Sequence, residues 1–406
     1  MKKLISAFAA LSLCASAFAL TPVFEQTYST SKGQAPFEIS IPVPDGNYLV
    51  TVTLGDKKLA GETTVKAESR RLCLYNEATA KGEFKTLSFV VNKRDTHIRE
   101  GGEVVADVTL KPRENGKLNW DDNLTLEIGG AAPLVSSITV EPAEDVTTVF
   151  LCGDSTVVDQ DNEPWSSWGQ MAPCFFDETV AIANYAESGE RLDTFRGAGR
   201  LRKALSVSKP GDWFFIEFGH NDMKLKGPGK GGYYFFATEL KTFIDLIREK
   251  DCIPVLVTPT HRRNFDADGH IVESHGDYPD GMRWVAAMED VDLLDLHEMS
   301  ALFYEALGPE KSTDAFVHYK AGAYPVIVSD TADNTHFNMY GAYELAKCVL
   351  KGICELRLPL AGHIVCYDGF DPCYPDDPDT FVWHDSPYRD LAAQKLEKDD
   401  AATIVK

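Results

Sequence analysis

The chain holds no C-x-x-C pair, no G-x-S-x-G and no second histidine at metalloprotease spacing from His297-Glu298. The first absence removes zinc-ribbon and thioredoxin-like readings. The second removes the strained nucleophile elbow of α/β-hydrolases. The third removes the H-E-x-x-H zinc proteases. Basic residues are also in short supply, with 40 Lys+Arg against 62 Asp+Glu and a net charge of −22. Such a surface repels nucleic-acid phosphates and anionic lipid. Beyond the amino-terminal segment no apolar run approaches membrane-span length. The expected partner is therefore a neutral or locally steered molecule, with no nucleic acid and no membrane span.

What is present begins with an address. Met1-Lys2-Lys3 is a short basic region, Leu4 to Ala17 is apolar and small, and Ala17-Phe18-Ala19 fits a signal-peptidase site. The reading is a signal peptide over 1–19, cleavage after Ala19, and a secreted or periplasmic protein. Loss of Lys2 and Lys3 moves the charge from −22 to −24. Secretion permits disulfides, and Cys366 and Cys373, in a loop-like region, are the expected bridge. Cys152 and Cys252 lie in apolar runs and read as buried thiols.

Residues 22–145 read as all-β, a sandwich of jelly-roll type. "NYLVTVTL" places Tyr48, Val50, Val52 and Leu54 on one face, and turn signals such as Pro44-Asp45-Gly46 separate further short strands. From 146 to 360 near-continuous apolar strands alternate with amphipathic helices, which implies an α/β unit with a parallel sheet covered on both faces. The last helix starts near Asn338, a cap. Residues 361–406 form a loop-rich tail.

Sites in open parallel sheets lie beyond the carboxyl ends of the strands. The segments found there are Gly153-Asp154-Ser155, "NYAESGERLDTF", "FGHND", "TPTHRRNF" and "DNTHFN". Together they supply a serine nucleophile in Ser155, a base in His336 and an orienting carboxylate in Asp333, three residues away. Backbone N–H groups of Ser155 and Gly189 and the Asn221 amide offer an oxyanion hole. Each piece alone is ordinary turn or capping chemistry; the four in order after successive strands are not.

These blocks resemble the SGNH, or GDSL-like, hydrolases, and the strings "GDSTVVDQ", "FGHNDMK" and "DNTHFNMYGAYELAK" are similar to the rhamnogalacturonan acetylesterases. "NWDDNLTLEI" also resembles the amino-terminal sandwich of bacterial members. Thr156 stands where the wider family often has Leu. The resemblance implies a flavodoxin-like three-layer α/β/α domain with strand order 2-1-3-4-5. It implies a Ser155–His336–Asp333 esterase that deacetylates rhamnogalacturonan, with acetylated xylan next, and that needs no metal or cofactor. Rival readings are a lysophospholipase or thioesterase on the same fold, and a non-catalytic carbohydrate-binding protein. The β-rich unit is either a binding module, separable by truncation near 146, or a packing partner that shapes the cleft.

Further candidates for substrate contact are Trp165 and Tyr185, by stacking, and the Arg262-Arg263 pair, by bidentate bonds to a sugar carboxylate. The alternative for the arginines is ion pairing with Asp266 and Asp268. Gly227 to Gly232 formally fits G-x-G-x-x-G but lacks the strand–helix context, and the Asp run at 368–379 lacks EF-hand spacing.

Overall fold

The structure is a computed structural model that describes residues 21–386. The Met1–Ala19 segment and the last twenty residues of the expected tail lie outside the described residues.

The strand Thr147–Gly153 is an interior strand, second in a five-stranded parallel sheet. Val180–Asn184 pairs on one side; Trp213–Glu217, Ile253–Val257 and Asp292–Leu294 follow on the other, which is the order 2-1-3-4-5. Alternation along each strand feeds two separate cores. Val149, Leu151, Phe215, Val255 and Val257 pack against the helices Leu296–Lys311 and Met339–Glu355. Phe150, Cys152, Phe214, Ile216 and Leu256 pack against Ala237–Arg248 and Tyr278–Glu289. With apolar demand on both faces, no polar alternation survives in these strands. Asn338 caps the last helix, its side chain accepting the Gly341 N–H.

Ahead of this unit, two four-stranded antiparallel sheets face each other. Tyr48, Val50, Val52 and Leu54 from one meet Leu124, Leu126 and Ile128 from the other in a shared core. The segment "EVVADVTL" is a strand only over Glu103–Asp107, half of a small hairpin with exposed Val104 and Val105.

The two units interlock through buried polar contacts. The tight turn between Gly61–Ala67 and Arg71–Thr79 enters the loop that follows the parallel strand Thr147–Gly153. Arg71 Nε donates to Asp159 Oδ2 at 2.6 Å, Arg70 to the carbonyls of Gln160 and Trp165, and Ser69 Oγ to Asp161. The described part of the tail folds back as a strap. Phe381 stacks on Tyr75, Trp383 donates to Glu163, and Lys66 sits over the Trp383 ring.

One expectation is corrected here. Cys366 and Cys373 are separate free thiols, as are the other six described cysteines. The segment before Cys366 is pinned to Phe175 and Phe176, whereas Cys373 sits in a turn headed by Asp371. The acidic residues near 376–379 are engaged by lysines: Asp376 by Lys347, Asp377 and Asp379 by Lys311. Among the described residues no helix is long and apolar enough to cross a membrane.

Candidate active site

The strand Thr147–Gly153 ends in a turn that places the largely buried Ser155 at the carboxyl edge of the sheet. Gly153 is required by close approach: a Cβ there would lie 2.5 Å from Val157 Cγ2 and 3.1 Å from Glu217 O. The fully buried Asp154 holds the turn, its Oδ1 accepting the Thr156 N–H and O–H. Gln160 Nε2 donates to the Ser155 carbonyl at 2.9 Å.

His336 comes from the far end of the chain. Thr331–Phe337 pairs with Phe316–Tyr319, but the register jumps from Val317↔Asp333 to Phe316↔Phe337. Residues 334–336 therefore stand out as a bulge, which re-aims a side chain without breaking the hairpin. Asp333 Oδ1 accepts the N–H groups of Thr335 and His336, closing the bulge into a turn. The result is a relay in which His336 Nε2 lies 2.9 Å from Ser155 Oγ and Nδ1 lies 2.7 Å from Asp333 Oδ2. Burial pushes the Asp333 carboxyl up, but the His336 ring and the two N–H donors outweigh it and bring it down to about 2. Asp333 is thus an anion under any ordinary condition.

The expected oxyanion residues border the same point. Gly189 has φ +75°. The carbonyl ahead of it, Ser188 O, accepts from Lys111 Nζ at 2.6 Å and from Arg113. Across a trans peptide the next N–H points the opposite way, so the Gly189 N–H faces away from these cations. Asn221 Nδ2 donates to Glu190 O at 3.0 Å and only loosely, at 3.4 Å, to Asp154 Oδ2. Its Oδ1 accepts from Lys224 at 2.7 Å, which fixes the amide with its N–H₂ side inward.

Of the four further candidates, two are relocated. Tyr185 is 0% exposed, sealed between Trp120, Phe150 and the Arg94 guanidinium, so no sugar ring reaches it. Arg263 is spent on its own loop: it bonds Ser312 Oγ, Pro309 O and Asn334 Oδ1, and its N–H meets Asn334 O. It braces the bulge that carries His336 rather than facing a ligand. Arg262 reaches Thr335 Oγ1 at 2.6 Å and His220 O at 3.4 Å, and is half-buried beside the relay. The Asp266 carboxylate expected to pair with these arginines instead accepts the N–H groups of Asp268 and His270. Trp165 is half-buried and adjoins the relay strand, since Ser166 N–H meets Phe337 O. Trp168, by contrast, is core.

Lys111, Arg113 and Glu217 carry no signal in the sequence. The first two act on a loop some seventy-five residues away. Glu217, at the end of the neighbouring strand, lies fully buried under the turn, accepts from Trp168 Nε1 and shares a hydrogen bond with Thr156 Oγ1. Burial, with Asp154 beside it, pushes its carboxyl up to about 8. The unfolded chain gives up this proton near ~4.3. Stability should therefore fall as pH rises from about 4.3 to about 8, because only the unfolded form ionises in that window. Glu217→Gln should flatten that slope in denaturant unfolding series; parallel curves for both proteins would contradict it.

The GDSL-like Lipase/Acylhydrolase family model matches residues 151–341. The chain is 41% identical over 223 residues to the rhamnogalacturonan acetylesterase RhgT of Bacillus subtilis, covering 54% of this chain and 95% of that protein. It is 36% identical over 220 residues to the Bacillus subtilis protein named "Probable rhamnogalacturonan acetylesterase YesY", covering 53% and 97%. Among solved structures, Bacillus subtilis YxiM is 24% identical with a TM-score of 0.48, covering 82% of this chain and 83% of that one.

Proposed function

The chain belongs to the GDSL-like lipase and acylhydrolase family, and on that premise we propose that it is a carbohydrate esterase removing O-acetyl groups from plant cell-wall polysaccharide. It is a serine esterase. Acetylated rhamnogalacturonan is the first substrate, as the names of the relatives suggest, and acetylated xylan the second. The observation that carries the reading is the Ser155–His336–Asp333 relay at 2.9 and 2.7 Å.

In this reading His336 Nε2 takes the Ser155 proton as Oγ attacks the acetyl carbonyl. Asp333, already an anion, holds the ring so that Nε2 faces the serine and stabilises the imidazolium that forms. The N–H groups of Ser155 and Gly189 and the Asn221 amide receive the oxyanion. Asn221 contributes the hydrogen now resting loosely on Asp154, a contact that tightens onto the transition state instead. The C–O bond to the sugar breaks, and His336 returns its proton to the leaving hydroxyl. Water, deprotonated by His336, then attacks the acetyl-serine and releases acetate. Asn221→Ala should lower kcat by about 10²–10³-fold with a smaller change in KM; an unchanged kcat would remove Asn221 from the hole.

Half-buried Trp165 and Arg262 flank the cleft as sugar contacts. Export follows from the Met1–Ala19 segment, and amino-terminal sequencing of secreted protein should begin at Leu20. The deciding experiment is acetate release from acetylated rhamnogalacturonan beside acetylated xylan, with nitrophenyl esters of rising chain length. Preference for acetyl over long acyl groups supports the reading. A preference for long chains favours the lysophospholipase or thioesterase alternative.

A further inference from the structure

Beside the serine, but separate from it, four side chains from three segments converge. His261 follows the strand Ile253–Val257, Glu273 and His275 lie in the loop before Tyr278–Glu289, and His297 opens the helix Leu296–Lys311. One donor atom from each lies within 4.8 Å of all the others. The three imidazoles are 8%, 1% and 3% exposed. Local spacing gives no hint of this, since H-E-x-x-H and C-x-x-C patterns are missing; the fold alone assembles it.

The hydrogen bonding around the cluster leaves nitrogens open to a cation. His297 Nδ1 lies 2.7 Å from the Pro259 carbonyl, which can only accept, so Nδ1 carries the proton. Nε2 then turns its lone pair toward Glu273 Oε2 at 2.8 Å. A lone pair against a carboxylate is repulsive unless a positive charge joins them. Independently, the buried His261 Nδ1 has no hydrogen-bond partner, while its ring stacks on that of His297 at 3.5 Å. An unsatisfied buried nitrogen of this kind calls for a ligand. His275 bonds His220 Nδ1 through Nε2 at 2.9 Å, and its Nδ1 lies 3.3 Å from Ser274 Oγ and 3.9 Å from Glu273 Oε1. Metal-binding histidines use their second nitrogen in this way, on a carbonyl or another polar group, to fix tautomer and ring angle.

We propose that His261, Glu273, His275 and His297 bind a single divalent cation of the zinc class. Three imidazoles with one carboxylate suit borderline metals and disfavour calcium and magnesium, which want oxygen. Four protein ligands fill a tetrahedral shell, the mark of a structural rather than a catalytic ion. The half-exposed Glu273 gives an entry path. Such an ion ties the loop containing Glu273 and His275 to the helix behind it. Through the His275–His220 bond it also steadies Gly219 to Asp222, the turn that carries Asn221. It stands apart from ester chemistry.

The competing arrangement is a metal-free pair of His297 imidazolium and Glu273. To separate the two, the full chain is purified, stripped with a chelator and titrated with Zn²⁺ by calorimetry, with elemental analysis of the reloaded protein. Stoichiometric binding of one ion, with a rise in Tm on saturation, is expected. The His261→Gln/His275→Gln protein should lose that binding. His220→Ala, which keeps all four ligands, should weaken it about 10–100-fold. Should the double variant fail to fold, Co²⁺ loading of the wild-type chain decides. The intense visible absorption of tetrahedral cobalt supports the site; weak octahedral absorption overturns it. Absence of stoichiometric binding, or equal binding by the ligand variants, also overturns it.

Discussion

Ser155→Ala should leave a folded protein with its nitrophenyl acetate hydrolysis reduced by about 10⁴–10⁶-fold. Ser155 Oγ has one role in the described geometry, the 2.9 Å contact to His336 Nε2. The backbone of the turn is held by other groups, namely Asp154, Gln160 and the close fit of Gly153. Removing the hydroxyl therefore costs little stability, within about 1 kcal/mol for a small change at an edge. What disappears is the atom that becomes covalently bonded, and the remaining oxyanion donors and cleft retain only the residual rate over water. Unfolding curves should superimpose on those of the parent. Substantial residual turnover, with the fold intact, would remove Ser155 from the nucleophile's place and the proposed chemistry with it.

The second large effect is on stability. Arg71→Ala should destabilise the protein by about 3–5 kcal/mol, the usual result of stripping one partner from a buried ion pair. Arg71 is 2% exposed and spends its guanidinium on Asp159 Oδ2 at 2.6 Å, Asn92 O at 2.6 Å and Asn119 Oδ1 at 3.0 Å. With it gone, the buried Asp159 keeps the Asn184 amide at 2.7 Å but loses its direct ion pair. Its charge is then less well compensated in the loop whose next residue, Gln160, holds the Ser155 carbonyl. Activity should fall alongside stability. Adding Asp159→Asn removes the stranded charge and should recover part of the loss, the non-additivity expected of contacting residues. A shift under about 1 kcal/mol for Arg71→Ala would show that the interlock carries little weight.

This interlock bears on the amino-terminal unit. If it were a detachable binding module, a chain cut near 146 would keep its activity. The contacts of Arg70, Arg71, Lys111 and Arg113 pack this unit against the Ser155 and Gly189 loops, so a chain cut near 146 is expected to lose activity. Truncation therefore strands Asp159 and Glu187 at once.

The sequence by itself determined the chain order of the residues whose side chains meet in the relay, Ser155, Asp333 and His336. It also determined the five parallel strands, because near-continuous apolar runs and the turns after each strand are local patterns written in neighbouring residues. Ser155, Gly189, Asn221, Asp333 and His336 were legible for that reason. Tertiary structure alone decided which polar side chains face the cleft. Tyr185 follows a strand like a site residue, yet Arg94 and Trp120 from the preceding unit close over it. Arg263 stands next to Arg262 but is taken up by Ser312, Pro309 and Asn334. The histidine and glutamate cluster joins three segments that share no spacing. Contacts between residues tens of positions apart leave no periodic trace, since burial and hydrogen-bond satisfaction belong to the packed molecule and not to any stretch of chain.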